Sequence, residues 1–209
     1  MHKTLSQHNA KFGFTLIELL VVMGIMGLIT GIVVFNQGDL SDTIALTNTA
    51  NEISLETRQA QTFGISVKQF DAVSNDFSIA YGMEFNISIG DGGSNTAFTG
   101  FADNVTKNGY FDSPGSCATG SECLKVNRIG RGNIISGLCG VVQDGGCLPV
   151  SRVAVTYLRP DPSARILFFD SNGLIVSINN SVGAKIIITS PKGHQKRVTI
   201  YNTGQISID

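Results

Sequence analysis

An α+β fold, with a long N-terminal helix set against antiparallel sheet, is predicted by three features of this sequence. An apolar run extends from Phe14 to Phe35, a segment with helical apolar spacing follows from about Thr43 to Phe63, and beyond residue 64 the apolar period drops to two. The 209 residues fit one globular domain plus an appendage. The expected divisions are a basic stretch at 1–13, an apolar helix at 14–38, an amphipathic helix at 39–64 and a β-rich domain at 65–209.

The first run, FTLIELLVVMGIMGLITGIVVF, has Glu18 as its single ionisable side chain. As a helix its ~22 residues reach ~33 Å, enough for the ~30 Å hydrocarbon core of a bilayer. Lys3 and Lys11 precede it with no acidic residue between, so the N-terminus is expected in the cytoplasm and the rest of the chain on the far side of the membrane. A secretory signal would end at a small-residue cleavage site before a polar start, yet the run continues past Gly27 and Gly31 to Phe35. A plain anchor leaves Glu18 unexplained, because a carboxylate at membrane depth costs ~2.5 kcal/mol or more unless it is paired or neutralised. Two uses remain for Glu18 itself, pairing within the membrane or reaching headgroups near the cytoplasmic end. Gly24, Gly27 and Gly31 permit close approach of neighbouring helices or are glycines that a membrane helix tolerates.

Gly38-Asp39 and Ser41-Asp42 are expected to interrupt this helix, with Ser41 or Asp42 capping the next. The second helix places Leu46, Ala50, Ile53, Ala60 and Phe63 on one stripe, and Gly64 is expected to close it. The clearest strand pattern is Phe77, Ile79, Tyr81, Met83, Phe85, Ile87 and Ile89, one face of which must be buried. Further strands are expected at 123–129, 150–158, 165–169, 174–178, 185–189, 196–201 and 205–208, joined as antiparallel hairpins. Pro160-Asp161-Pro162, Asp170-Ser171-Asn172-Gly173 and Asn202-Thr203-Gly204 mark turns, and 90–120 reads as loop.

Cys117, Cys123, Cys139 and Cys147 lie among turn-forming residues, with five residues inside the first pair and seven inside the second. These spacings exceed those of zinc knuckles and no histidine is near, so disulfides in an oxidising compartment are expected. Sequential pairing closes the shortest loops, although four cysteines permit three connectivities. Charged residues are 15% of the chain and the net charge is -1, which provides no overall basic field for nucleic acid. Beyond residue 13 the one histidine is His194, and no nucleophile elbow or phosphate loop is found. The chain is therefore expected to be no enzyme, with no cofactor and no metal. Asp103, Asn108 and Asp112 offer oxygens for calcium, but their spacing departs from an EF-hand and a solvated turn is the preferred reading.

The string Gly13-Phe14-Thr15-Leu16-Ile17-Glu18-Leu19-Leu20-Val21-Val22 resembles the class III signal of type IV prepilins and type II secretion pseudopilins. The resemblance implies a pilin-like fold, and it implies cleavage after Gly13 by a membrane-embedded prepilin peptidase with N-methylation of Phe14. The helix is then retained for assembly with other pilin or pseudopilin subunits on an inner-membrane platform, the subunit first sitting in membrane lipid with its C-terminal domain outside the cytoplasm. Cleavage would expose an ammonium on Phe14, and a neighbour's ammonium can pair with Glu18 in a low-dielectric setting, which rewards correct axial register. The ending RVTIYNTGQISI is similar to that of H-type minor pseudopilins and related minor pilins, and the anchor lacks the proline midway along many major pilins, so a minor subunit is implied. Some minor pilins of this branch capture DNA. Lys192, Lys196 and Arg197 are the candidate contacts for that alternative, which is not favoured because the charges are few and aromatic stacking is limited to Tyr201.

Overall fold

The computed structural model describes residues 13–66, 78–112, 117 and 121–209. Residues 1–12 of the expected leader at 1–13, Phe77 and most of 113–120 lie outside the described residues. The chain divides into two compact units, Met1–Ser41 and Asp42–Asp209.

One helix, α1 (Leu16–Ile65), runs for 50 residues. The interruption expected at Gly38–Asp42 is absent. A helical glycine costs ~1 kcal/mol and Ser or Asp less, whereas proline, which would remove a hydrogen bond and clash with the preceding turn, does not occur there. In the second unit Leu46, Ala50, Ile53 and Ala60 are buried as the spacing predicts, and Phe63 is half-buried. Gly64 lies inside the last turn and is not a terminating residue. A Cβ there would stand 2.4 Å from Tyr157 O, so close packing explains this glycine.

Among the described residues eleven strands follow: β1 (Ala80–Asn86), β2 (Ala97–Asp103), β3 (Cys123–Arg128), β4 (Ile134–Val142), β5 (Cys147–Val150), β6 (Arg152–Tyr157), β7 (Arg165–Phe169), β8 (Ile175–Val176), β9 (Ser181–Thr189), β10 (Gln195–Tyr201) and β11 (Ile206–Ile208). They form two antiparallel sheets, ordered β3-β2-β1-β6-β7-β8 and β11-β10-β9-β4-β5. Leu46, Ala50 and Ile53 of the helix share one core with Phe85, Val153 and Val155 of the first sheet and with Ile186, Ile188 and Ile200 of the second. The α+β class, helix on antiparallel sheet, is what the sequence predicts.

Several strand expectations change, and β4 falls at Ile134–Val142, where no strand is expected from the sequence. Residues 90–120, read as loop, contain β2. The strand 150–158 is two strands, with Ser151 between β5 and β6. The first strand stops at Asn86, because Ile89 turns outward in a 3₁₀ segment (Ile89–Asp91) and is 87% exposed. β1 is also buried on both faces. Tyr110 and Phe111, from the segment after β2, cover the outer side of the first sheet, where Phe101, Ala154 and Phe169 form a second apolar cluster.

Candidate assembly site

Gly13, Phe14 and Thr15 precede α1, and Phe14 is 85% exposed. Thr15 is the N-cap: Glu18 N donates to Thr15 Oγ1 at 3.3 Å and to Thr15 O at 3.1 Å. Thr15-Leu16-Ile17-Glu18 therefore fits the capping-box pattern, with the acidic side chain in the first turn where the helix dipole favours it. The sequence reading missed this role for Glu18, though the T-x-x-E spacing before an apolar run announces it.

Leu16–Val34 is long and apolar enough to cross a membrane, and its apolar side chains are exposed in every direction. A helix apolar all round belongs in a membrane or buried against other protein. Thr30 Oγ1 donates to Met26 O at 2.7 Å, so the hydroxyl of this segment is satisfied within the helix. A Cβ on Gly24, Gly27 or Gly31 would meet nothing within 4 Å.

The cysteines form two disulfides, Cys117–Cys123 and Cys139–Cys147. The second ties edge strand β5 to β4, and Pro149, which has no N–H, sits in the same edge strand. The basic residues do not gather on one face. Lys192 is exposed in the β9–β10 turn, while Lys196 and Arg197 are neighbours in β10, whose successive side chains point to opposite faces. Lys196 is half-buried on the side of Val198 and Ile200, and Arg197 is exposed on the other.

The loop after β2 is held by buried carboxylates that sequence reading did not single out as a group. Asp103 accepts from Asn108 N at 3.1 Å and Gly109 N at 2.7 Å, and Glu122 accepts from Val105 N at 3.1 Å and Asp112 N at 3.0 Å. Burial pushes both carboxyls above their ordinary range, against the pull of these N–H groups. Asp112 is occupied by Thr106 Oγ1 and by Asn108 Nδ2. Asp103, Asn108 and Asp112 thus serve as loop clamps, and no cluster of metal-ligating side chains occurs among the described residues. Beside them Arg152 and Glu84 form a buried ion pair at 2.7 Å, and Arg152 also donates to Phe111 O at 2.5 Å.

In chain order, a helix long and apolar enough to cross a membrane precedes a disulfide-bonded β domain. The family model of the prokaryotic N-terminal methylation motif matches residues 8–34, and with the helix and the antiparallel domain this makes the chain prepilin-like, of the type IV pilin and pseudopilin kind. The motif supports processing by prepilin peptidase and assembly with other subunits. It belongs to a structural, pilin-type signature and to no enzyme family. No match was found among curated proteins or among solved structures.

Proposed function

We propose that the chain is a minor pilin or pseudopilin, a structural subunit of a type IV pilus or a type II secretion pseudopilus. Prepilin peptidase cuts after Gly13 and methylates Phe14. Residues 14–38 hold the subunit in the inner membrane, with the leader in the cytoplasm and the β domain outside, until the assembly platform draws it into the filament. Glu18 then receives the ammonium of a neighbouring Phe14. The observation that carries this reading is the placement of Glu18, the one ionisable side chain between Phe14 and Phe35, in the first turn of an otherwise apolar helix. One turn of helix, ~5.4 Å, spans from that carboxylate to the new terminus, so an amine from an adjacent copy reaches Glu18 only in a restricted set of axial staggers. A buried charge whose partner is removed costs ~3–5 kcal/mol, which makes the wrong staggers expensive.

The test is N-terminal sequencing and intact mass of membrane-extracted protein, together with fibre incorporation of Glu18→Gln. A methylated Phe14 start with loss of incorporation in the variant is expected. An intact Met1, or a start beyond residue 30, contradicts the reading.

A further inference from the structure

Asparagine is followed by glycine at two places in the chain, Asn108-Gly109 and Asn172-Gly173. With no Cβ on the second residue, its backbone nitrogen can approach the asparagine Cγ, and glycine's backbone freedom allows the turn that brings it there. The two sites differ in how firmly the reacting atoms are held.

At Asn108 they are held on all sides. Oδ1 accepts from Tyr110 N at 3.0 Å, and Nδ2 donates to Asp112 Oδ1 at 2.6 Å. Gly109 N, the atom that would attack, donates at 2.7 Å to Oδ2 of the buried Asp103. Gly109 is itself buried, and a Cβ there would stand 2.6 Å from Arg165 Nη1, so a guanidinium lies over it. Attack on Cγ would first break hydrogen bonds to carboxylates, which are the strong ones.

Asn172 stands on the exposed turn between β7 and β8. Asp170 Oδ1 accepts from Asn172 N at 2.8 Å and from Leu174 N at 2.9 Å, and the Asn172 side chain donates to the same carboxylate. Gly173 N, by contrast, donates to Asp170 O at 3.3 Å, longer than the ordinary range for such a bond. The attacking atom is therefore weakly held, and its neighbours Ser171, Asn172 and Leu174 are open to water.

We infer that Asn172 is a site of spontaneous deamidation in the folded chain and that Asn108, in the same dipeptide, is protected. Gly173 N bonds to Asn172 Cγ as the Cγ–Nδ2 bond breaks. The proton from Gly173 N ends on the departing amide, which leaves as ammonia, and a cyclic imide remains. Water then opens the imide at one carbonyl or the other, giving aspartate or isoaspartate; nothing is oxidised or reduced. Either product places a second carboxylate beside Asp170, and isoaspartate lengthens the turn by one methylene. Edge strand β8 is only Ile175–Val176, paired with Phe169 and Phe168. Its register is set by the turn that is altered, so conversion loosens β8 from the first sheet.

The full chain in detergent is aged at mildly alkaline pH in heavy-oxygen water, digested and mapped by tandem mass spectrometry beside a sample aged in denaturant. In the folded chain Asn172 should convert at least ~10-fold faster than Asn108, a barrier difference of ~1.4 kcal/mol or more. In denaturant the two rates should converge, and each product should carry one heavy oxygen from the water that opened the imide. Amide exchange at Ile175 and Val176 should quicken as Asn172 converts, and in an aged Asn172→Gln chain it should stay at its starting value. Equal rates at the two asparagines in the folded chain, or faster conversion at Asn108, overturn the assignment. Conversion at Asn172 with unchanged exchange in β8 overturns the effect on the strand.

Discussion

Gly64 of α1 rests directly on the backbone of Tyr157 in β6, so closely that a Cβ would fall 2.4 Å from its carbonyl oxygen and 2.7 Å from its Cβ. The atoms met are backbone and Cβ of a fully buried residue, so no flexible atom can move aside. Gly64→Ala gains up to ~1 kcal/mol of helix propensity but forces the helix off the sheet, an overpacking cost of ~1–3 kcal/mol. A net loss is expected, measured as a lower Tm of the detergent-solubilised chain. Unchanged or raised stability would show that the helix end lifts away freely.

The outer face of the first sheet depends on the Glu84–Arg152 pair, whose side chains are only 3% and 5% exposed. The guanidinium also lies 4.6 Å from the centre of the Phe169 ring and 5.5 Å from that of Tyr110. Glu84→Gln or Arg152→Met alone leaves a buried charge without its counter-ion and should cost ~3–5 kcal/mol. The double variant should cost clearly less than the sum, and a denaturant double-mutant cycle measures the coupling. Additive losses would mean that each side chain is held by its other contacts.

The helix, its buried stripe and the later hairpins were legible because each shows one apolar face. β2 was not. Phe98 points into the main core and Phe101 into the outer cluster under Phe111, so burial on both faces erases the period of two. β4 hid behind its glycines. At Gly140 a Cβ would come 2.3 Å from Ile178 Cδ1, so a residue that reads locally as a turn is a packing requirement. Glu84 and Arg152 are 68 residues apart, and no local pattern announces such a pair. The N-terminal site was readable as a motif and incompletely as structure, since the Thr15 cap follows from local spacing alone.

Asp103 and Glu122 give the domain a pH dependence of defined sign. Burial holds their folded-state carboxyls above the ordinary values, so the folded chain binds these protons more tightly than the unfolded one. Their contribution is complete below the unfolded pKa values of ~4 and is lost as pH rises through the raised folded values. Asp103→Asn/Glu122→Gln removes the titration. Its stability deficit against the wild type should therefore be larger near pH ~4.5 than near pH ~7, as thermal melts at the two pH values would show. A deficit that shrinks on acidification would mean that the loop N–H bonds outweigh burial.

Thr15 and Glu18 separate two explanations for a carboxylate at the head of an apolar helix. If Glu18 serves only to start the helix, its role is shared with the Thr15 hydroxyl that accepts from Glu18 N. Thr15→Val, which costs ~1 kcal/mol of capping, should then impair filament entry as much as any change at Glu18. Glutamine at the third helical position keeps the capping pattern, so Glu18→Gln should be harmless on that account. If Glu18 receives a neighbour's terminal ammonium, the order reverses. Thr15→Val is processed and assembled with a frayed first turn, and Glu18→Gln is processed yet excluded from fibres. Quantifying both variants in sheared fibres, with the leader confirmed as removed in each, distinguishes a residue that starts its own helix from one that recognises the next subunit.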